Sequence, residues 1–115
     1  MLCGFAFIPN GPLRITKSDH GKTIEIKRGR SIDIVLEGNP TTGYMWGAVS
    51  KKSPVLQQLK EREYRSRSKL IGSGGEFTFH YKAVKTGKAE LKFAYQRSWE
   101  KRAPAGTLDV KITVK

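Results

Sequence analysis

The chain has a single cysteine, Cys3, among 115 residues. No intramolecular disulfide can form, so the fold must stand on packing alone. That suits a reducing compartment without proving one. A thiol nucleophile at Cys3 is not expected, because no histidine or acid stands near it in sequence. Acidic residues are also scarce. Ten Asp and Glu face 22 Lys and Arg, for a net charge of +12. The imbalance points to an acidic partner: nucleic acid, a membrane surface or an acidic protein. The cations are spread over nearly every segment without a long block, as on solvated strand faces.

Other absences narrow the chemistry. His20 and His80 have no familiar metal-ligand spacing, so no metal site is expected. No cofactor is expected either. No acid/base pair or nucleophile–base set stands at a working spacing, which makes an enzyme the least favoured class. Long apolar runs are missing. The stretch Leu2 to Ile8 is far shorter than the ~18 residues of a membrane span, so no membrane partner is expected. It lacks the basic start of a complete secretory signal, and reads as the remnant of a trimmed signal or of an expression sequence. A cytoplasmic location and a vesicular or secretory route both stay open. There is no internal repeat and no low-complexity tract.

What is present is period-two alternation punctuated by Gly and Pro. Thr23, Ile24, Glu25 and Ile26 alternate. Ile32, Ile34 and Leu36 oppose Ser31, Asp33 and Val35. Phe77, Phe79 and Tyr81 share one face, with Glu76, Thr78 and His80 on the other, so His80 reads as an exposed surface histidine. Leu91, Phe93 and Tyr95 alternate with Lys92 and Ala94. Leu108, Val110, Ile112 and Val114 alternate with Asp109, Lys111 and Thr113. Each pattern fits a half-buried antiparallel strand. Lys27-Arg28-Gly29-Arg30 and Lys85-Thr86-Gly87-Lys88 read as tight hairpin turns. Val55 to Tyr64, rich in Arg, Lys and Glu, hints at a helical turn. The sum predicts an all-β, immunoglobulin-like antiparallel β-sandwich of about seven or eight strands. Residues 1–12 are expected to form a loose N-terminal arm and 13–115 one domain. A monomer is expected.

Three loop segments fall between these runs. The first is Asn39-Pro40-Thr41-Thr42-Gly43, followed by Tyr44-Met45-Trp46. Proline fixes its own φ and pushes Asn39 away from the helical region. The threonine hydroxyls can bond nearby backbone, and Gly43 permits a positive φ or a close approach. Trp46 is expected to anchor the base of the loop in the core. By chemistry alone, a stiff turn explains this segment as well as a binding loop does. The second is Gly72-Ser73-Gly74-Gly75. A phosphate-binding loop would need a following helix, whereas Glu76-Phe77-Thr78-Phe79 reads as a strand. Bare glycines let a partner's backbone approach and pair. The third runs from Gln96 to Gly106, and Trp99 stands in it among Arg97, Glu100, Lys101 and Arg102. That tryptophan is either a binding anchor or a ring folded over the sandwich end.

Taken in order on an all-β background, these segments resemble the chagasin family of cysteine peptidase inhibitors. Its NPTTG-type loop is matched by Asn39 to Gly43, with Trp46 as the downstream aromatic. Its GxGG-type loop is matched by Gly72, Gly74 and Gly75. Its RPW-type loop is matched by Arg97 and Trp99, with Ser98 where proline is usual, which should loosen this loop and re-aim Trp99. The resemblance implies reversible, tight-binding inhibition of papain-like peptidases of the cathepsin L or B type. The three loops, clustered at one end of the sandwich, would occupy the cleft uncleaved. Asn39, Pro40, Thr41, Thr42 and Gly43 would sit at the catalytic cysteine–histidine pair. Gly72, Ser73, Gly74 and Gly75 would lie on the unprimed side. Arg97, Ser98 and Trp99 would grip the primed side. The competing expectation is a basic β-domain that binds nucleic acid through Tyr64 to Lys69, with Tyr81 and Tyr95 as stacking faces.

Overall fold

The computed structural model describes residues 12–50, 53–69, 74–97 and 103–115. The arm expected at the N-terminus therefore lies almost wholly outside the described residues. Eight strands run in chain order: β1 (Leu13–Ile15), β2 (Thr23–Ile26), β3 (Ser31–Gly38), β4 (Met45–Ala48), β5 (Leu56–Ser66), β6 (Gly75–Ala83), β7 (Gly87–Gln96) and β8 (Gly106–Val114). They form two four-stranded sheets, ordered β1-β3-β6-β5 and β2-β8-β7-β4.

The period-two reading held because each sheet has one dry face. Ile32, Ile34 and Leu36 of β3 and Phe77, Phe79 and Tyr81 of β6 are buried. They face Leu91 and Phe93 of β7 and Leu108, Val110, Ile112 and Val114 of β8. Aromatic rings lock the middle of this core, with Phe79 4.6 Å from Phe93 between centroids. Burying one such side chain contributes about 1.5–3 kcal/mol, and these rows replace the missing disulfide as the source of cohesion.

Three local expectations need correction. Four pairings are antiparallel as expected, but the two short N-terminal strands pair in parallel, β1 with β3 and β2 with β8. Alternation reports which side chains face the core and carries no sign of strand direction. The Lys27–Arg30 and Lys85–Lys88 segments are not hairpins. Each carries the chain from one sheet to the other, because β2 and β7 belong to one sheet and β3 and β6 to the other. The Val55–Tyr64 segment is not helical. It enters the 11-residue edge strand β5, exposed along nearly its whole length. Its Glu, Lys, Arg and Gln favour helix in isolation, but pairing along β6 overrides that preference. Register shifts between Gln58 and Lys60 and between Lys60 and Glu63 break its alternation.

On the outer face of the first sheet, His80 is more constrained than its sequence position suggests. Its Nδ1 lies 2.8 Å from Asp33 Oδ1 and its Nε2 2.5 Å from Glu63 Oε1. The histidine side chain is only 16% exposed. A ring flanked by two carboxylates needs a proton on both nitrogens. Burial disfavours that charge, but the hydrogen bonds to Glu63 and Asp33 outweigh it and raise the His80 pKa above its ordinary value.

Candidate functional site

Strand register puts the three loops at one end. Gly38, closing β3, lies opposite Gly75, and Gly75 lies opposite Ser66, closing β5. Met45, opening β4, lies opposite Gln96, and Tyr95 opposite Gly106. The β3–β4, β5–β6 and β7–β8 connections therefore leave the sandwich side by side.

The first loop is a single 3-10 turn, Pro40–Thr42, capped at both ends. Proline at its first position supplies a preset φ and lacks the N–H that would go unpaired there. The Asn39 side chain caps the turn. Its Oδ1 accepts from Thr41 N–H at 3.1 Å and from the Thr41 hydroxyl at 2.6 Å. The Thr42 hydroxyl donates to Asn39 O at 2.7 Å and accepts from Tyr44 N–H at 3.4 Å. Gly43 ends the turn at φ 88°, a left-handed conformation that favours glycine. Thr41 and Thr42 are exposed, yet their hydroxyl protons point into the loop.

Beneath the turn stands a column of rings. Trp46 is buried and stacks on Tyr95, centroids 5.2 Å apart, while its Nε1–H donates to Glu37 O at 2.9 Å. Its expected role as anchor of the loop's base is met. Tyr44 lies over Tyr95 at 5.3 Å, and the Arg97 guanidinium sits 4.4 Å from the Tyr44 centroid. The Tyr95 hydroxyl oxygen accepts from Asn39 N–H at 2.8 Å. Arg97 Nε donates to Thr42 O at 2.9 Å, tying the third loop to the first. Tyr95 and Tyr44 are the supports that loop motifs alone do not reveal. For Tyr95 the signal was an aromatic on the core face of the last residues of a strand, adjoining a loop, whereas Tyr44 stands between Gly43 and the start of β4.

The second loop meets the first through glycine. A Cβ on Gly74 would come within 3.4 Å of Gly38 O and 3.8 Å of the Asn39 Cβ, so the two loops abut. Gly75 is buried inside β6, and a Cβ there would fall 2.1 Å from Arg65 O. Its bareness is used by the domain's own edge strand. Arg67 Nη2 reaches Glu37 Oε1 at 3.1 Å across the same seam. Gly72, Ser73, Ser98 and Trp99 lie outside the described residues.

The nucleic-acid expectation loses two of its three stacking rings here. Tyr64 packs on Phe77 at 4.9 Å, Tyr81 is buried in the core, and Tyr95 is covered by Tyr44 and Trp46. Burial also raises the Tyr81 pKa. Tyr81 and Tyr95 offer no free ring face for a base, which leaves only the 38% exposed Tyr64.

A family model described as Chagasin family peptidase inhibitor I42 matches residues 25–114. The chain belongs to this family. It is an inhibitor of cysteine peptidases and not an enzyme. It is 28% identical over 102 residues to Amoebiasin-1 of Entamoeba histolytica, a match that covers 89% of this chain and 99% of that protein. It is 29% identical over 90 residues to Chagasin of Trypanosoma cruzi, covering 75% of this chain and 82% of that one. The fold is shared with the crystal structure of the cysteine protease inhibitor EhICP2 from Entamoeba histolytica. The TM-score is 0.81 at 23% identity, over 91% of this chain and 96% of the other. The all-β sandwich is thus the family's own architecture, and the loop end of this chagasin-family inhibitor brings together Asn39 to Gly43, Gly74, Gly75 and Arg97.

Proposed function

We propose that the loop end enters the active-site cleft of a papain-like peptidase of the cathepsin L or B type and blocks it reversibly without being cleaved. The observation that carries this reading is the preorganised turn at Pro40–Thr42, capped by Asn39 and seated on Tyr95. Cleavage needs an extended peptide presented in attack geometry. A 3-10 turn held by its own side chains offers none. Asn39 to Gly43 would stand at the catalytic cysteine–histidine pair. There, Thr41 and Thr42 present methyl groups and acceptor oxygens, since their protons are engaged within the loop. Rigidity also reduces the ordering entropy lost on binding.

The other two loops would flank this wedge. Gly72, Ser73 and Gly74 would line the unprimed side through backbone, with Gly75 holding their base. Arg97, Ser98 and Trp99 would reach the primed side. Arg97 is already oriented by Thr42 and Tyr44, which supports a fixed angle between the first and third loops. Trp99→Ala is expected to weaken the complex chiefly through faster dissociation, since related complexes differ mostly in off-rate. An unchanged off-rate would remove Trp99 from the anchor role. For an acidic target, the net charge of +12 should steer association, so the on-rate should fall as salt rises. A salt-independent on-rate would refute steering.

The deciding experiment is a titration of papain followed with a small fluorogenic substrate, with the inhibitor's mass checked after long incubation. Competitive inhibition with an intact chain is expected. No inhibition at micromolar concentration, of papain or of cathepsin L and B, would overturn the target class.

A further inference from the structure

In sequence, Arg62 is one more cation in the run Lys60-Glu61-Arg62-Glu63. The register of β5 sets it apart. Lys60 lies opposite His80 and Glu63 opposite Thr78, so Glu61 and Arg62 together stand against Phe79. A bulge of this kind re-aims a side chain. Glu63 turns to the outer face, where it meets His80. Arg62 turns the other way. Its guanidinium lies 5.8 Å from the Phe77 centroid, and its Nη1 donates to Trp46 O at 2.8 Å.

That bond crosses between the sheets. Strand β5 is an edge of the first sheet and β4 an edge of the second. Stacked sheets lie about 10 Å apart, so only a long side chain can carry a hydrogen bond from one to the other. The ladder of β4 leaves the acceptor open. Val49 N–H donates to Lys92 O at 2.8 Å, so Val49, Gly47 and Met45 turn their backbone groups toward β7. Alternation puts Trp46 O at the free edge, where Arg62 satisfies it. Trp46 is thereby tied to the first sheet twice. Its indole N–H donates to Glu37 O of β3, and its carbonyl accepts from Arg62 of β5. One bond alone would let the residue pivot. Tyr95 stacks on Trp46 and accepts from Asn39 N–H, so the first loop stands on this pair.

We propose, resting on the loop-end reading above, that Arg62 is a positioning residue for inhibition: through Trp46 it sets the first loop against the second. Strand β4 leaves the first loop and β5 runs into the second, so the bond joins their two supports. Arg62 lies four residues before the end of β5, about 13 Å short of the loops, and acts on them through Trp46. Without it each loop keeps its residues and the two lose their fixed angle. Only the fraction of chains with the loops aligned then binds, which slows association and leaves dissociation of the docked complex unchanged.

The test takes two readouts on Arg62→Met, which keeps an unbranched apolar stem beside Phe77 and removes the donor. Hydrogen exchange followed by NMR, without a peptidase, should quicken at the Trp46 indole N–H and at Asn39 N–H. With papain, the on-rate should fall about tenfold, the scale of one hydrogen bond from a charged group, at an unchanged off-rate. Arg62→Lys keeps the charge and a donor on a shorter stem, and should recover part of the on-rate. Lys60→Met removes the same charge from the same strand, where the ammonium pairs with Glu63. It should leave exchange and both rates at wild-type values in about 0.5 M salt, which screens any steering. Denaturant unfolding of each variant verifies folding. Unchanged exchange at both protons would overturn the proposal, as would a faster off-rate at an unchanged on-rate, or equal losses in Lys60→Met and Arg62→Met. Quickened exchange with neither rate changed would overturn it as well, since the support would then be idle in inhibition. Exchange is read without a peptidase, so a wild-type chain that failed to inhibit papain-like enzymes would strike the loop-end reading by a separate result.

Discussion

The two ends of the sandwich solve different problems with similar parts. Both are made of short connections between strands. At the loop end, side chains turn inward: Asn39, Thr41, Thr42, Tyr95 and Arg97 bond to neighbouring loop backbone or to each other. At the opposite end, backbone groups bond to one another and the charged side chains turn outward. The first arrangement fixes a shape and the second displays a charge. A cleft that must be filled without being allowed to react needs shape.

The largest effect expected on this contrast comes from Gly75→Ala. The added Cβ would lie 2.1 Å from Arg65 O and 2.8 Å from Ser66 Cα, both backbone atoms of the paired edge strand. Strand β5 would have to move away from β6 at the base of the second loop. A loss of about 3 kcal/mol is expected, read as a lower denaturant midpoint. Unchanged stability with weakened inhibition would mean that Gly75 is bare for the partner's sake, and the line between loop and support would have to be redrawn.

Next in size is Tyr95→Phe. It removes the oxygen that accepts from Asn39 N–H while keeping the ring between Tyr44 and Trp46. A partly buried donor left unpaired costs about 1–2 kcal/mol. Because the donor belongs to the first loop, inhibition of papain should weaken about tenfold as well, the equivalent of about 1.4 kcal/mol. Arg28→Ala, at the other end, should leave the dissociation rate from papain unchanged. Equal effects of the two substitutions would erase the distinction between a shape end and a charge end.

The sequence made the loop end legible as three motifs and left its cause hidden. Asn39 to Gly43 announces a stiff turn through residue types whose preferences are local. Tyr95 looks like any core aromatic in an alternating strand. Its hydroxyl reaches Asn39, 56 residues away, only once β4 pairs with β7. The basic pole was invisible for the same reason. Lys27, Arg28, Lys85 and Lys88 become neighbours because Lys27–Arg30 and 84–86 cross between sheets, and a turn read from sequence does not say whether it stays in one sheet. Strand β5 was misread because its composition is that of a solvated surface, and both its faces are wet.

The smallest effect should come from the middle of the molecule, and it sharpens the comparison by sparing both ends. His80 on β6 joins Asp33 of β3 to Glu63 of β5, with Lys60 and Arg65 near Glu63. Its pKa is raised from 6.5 on folding, so the imidazolium's contribution is fully present below that value. It is lost as pH rises from 6.5 through the higher folded pKa, and stability should decline over that span. Glu63 behaves oppositely. The hydrogen bond from His80, then Lys60, lowers its pKa from 4.5, so its contribution is present above 4.5 and is lost as pH falls below that. Stability should therefore be greatest between the two titrations. His80→Gln should flatten the decline on the alkaline side while leaving papain inhibition unchanged, since among the described residues no loop residue bonds to His80. A decline that persisted in that variant would assign the alkaline limb to another group. A loss of inhibition would instead mean that tension in the outer sheet reaches the loops, and that the shape end is held from farther away than Tyr95.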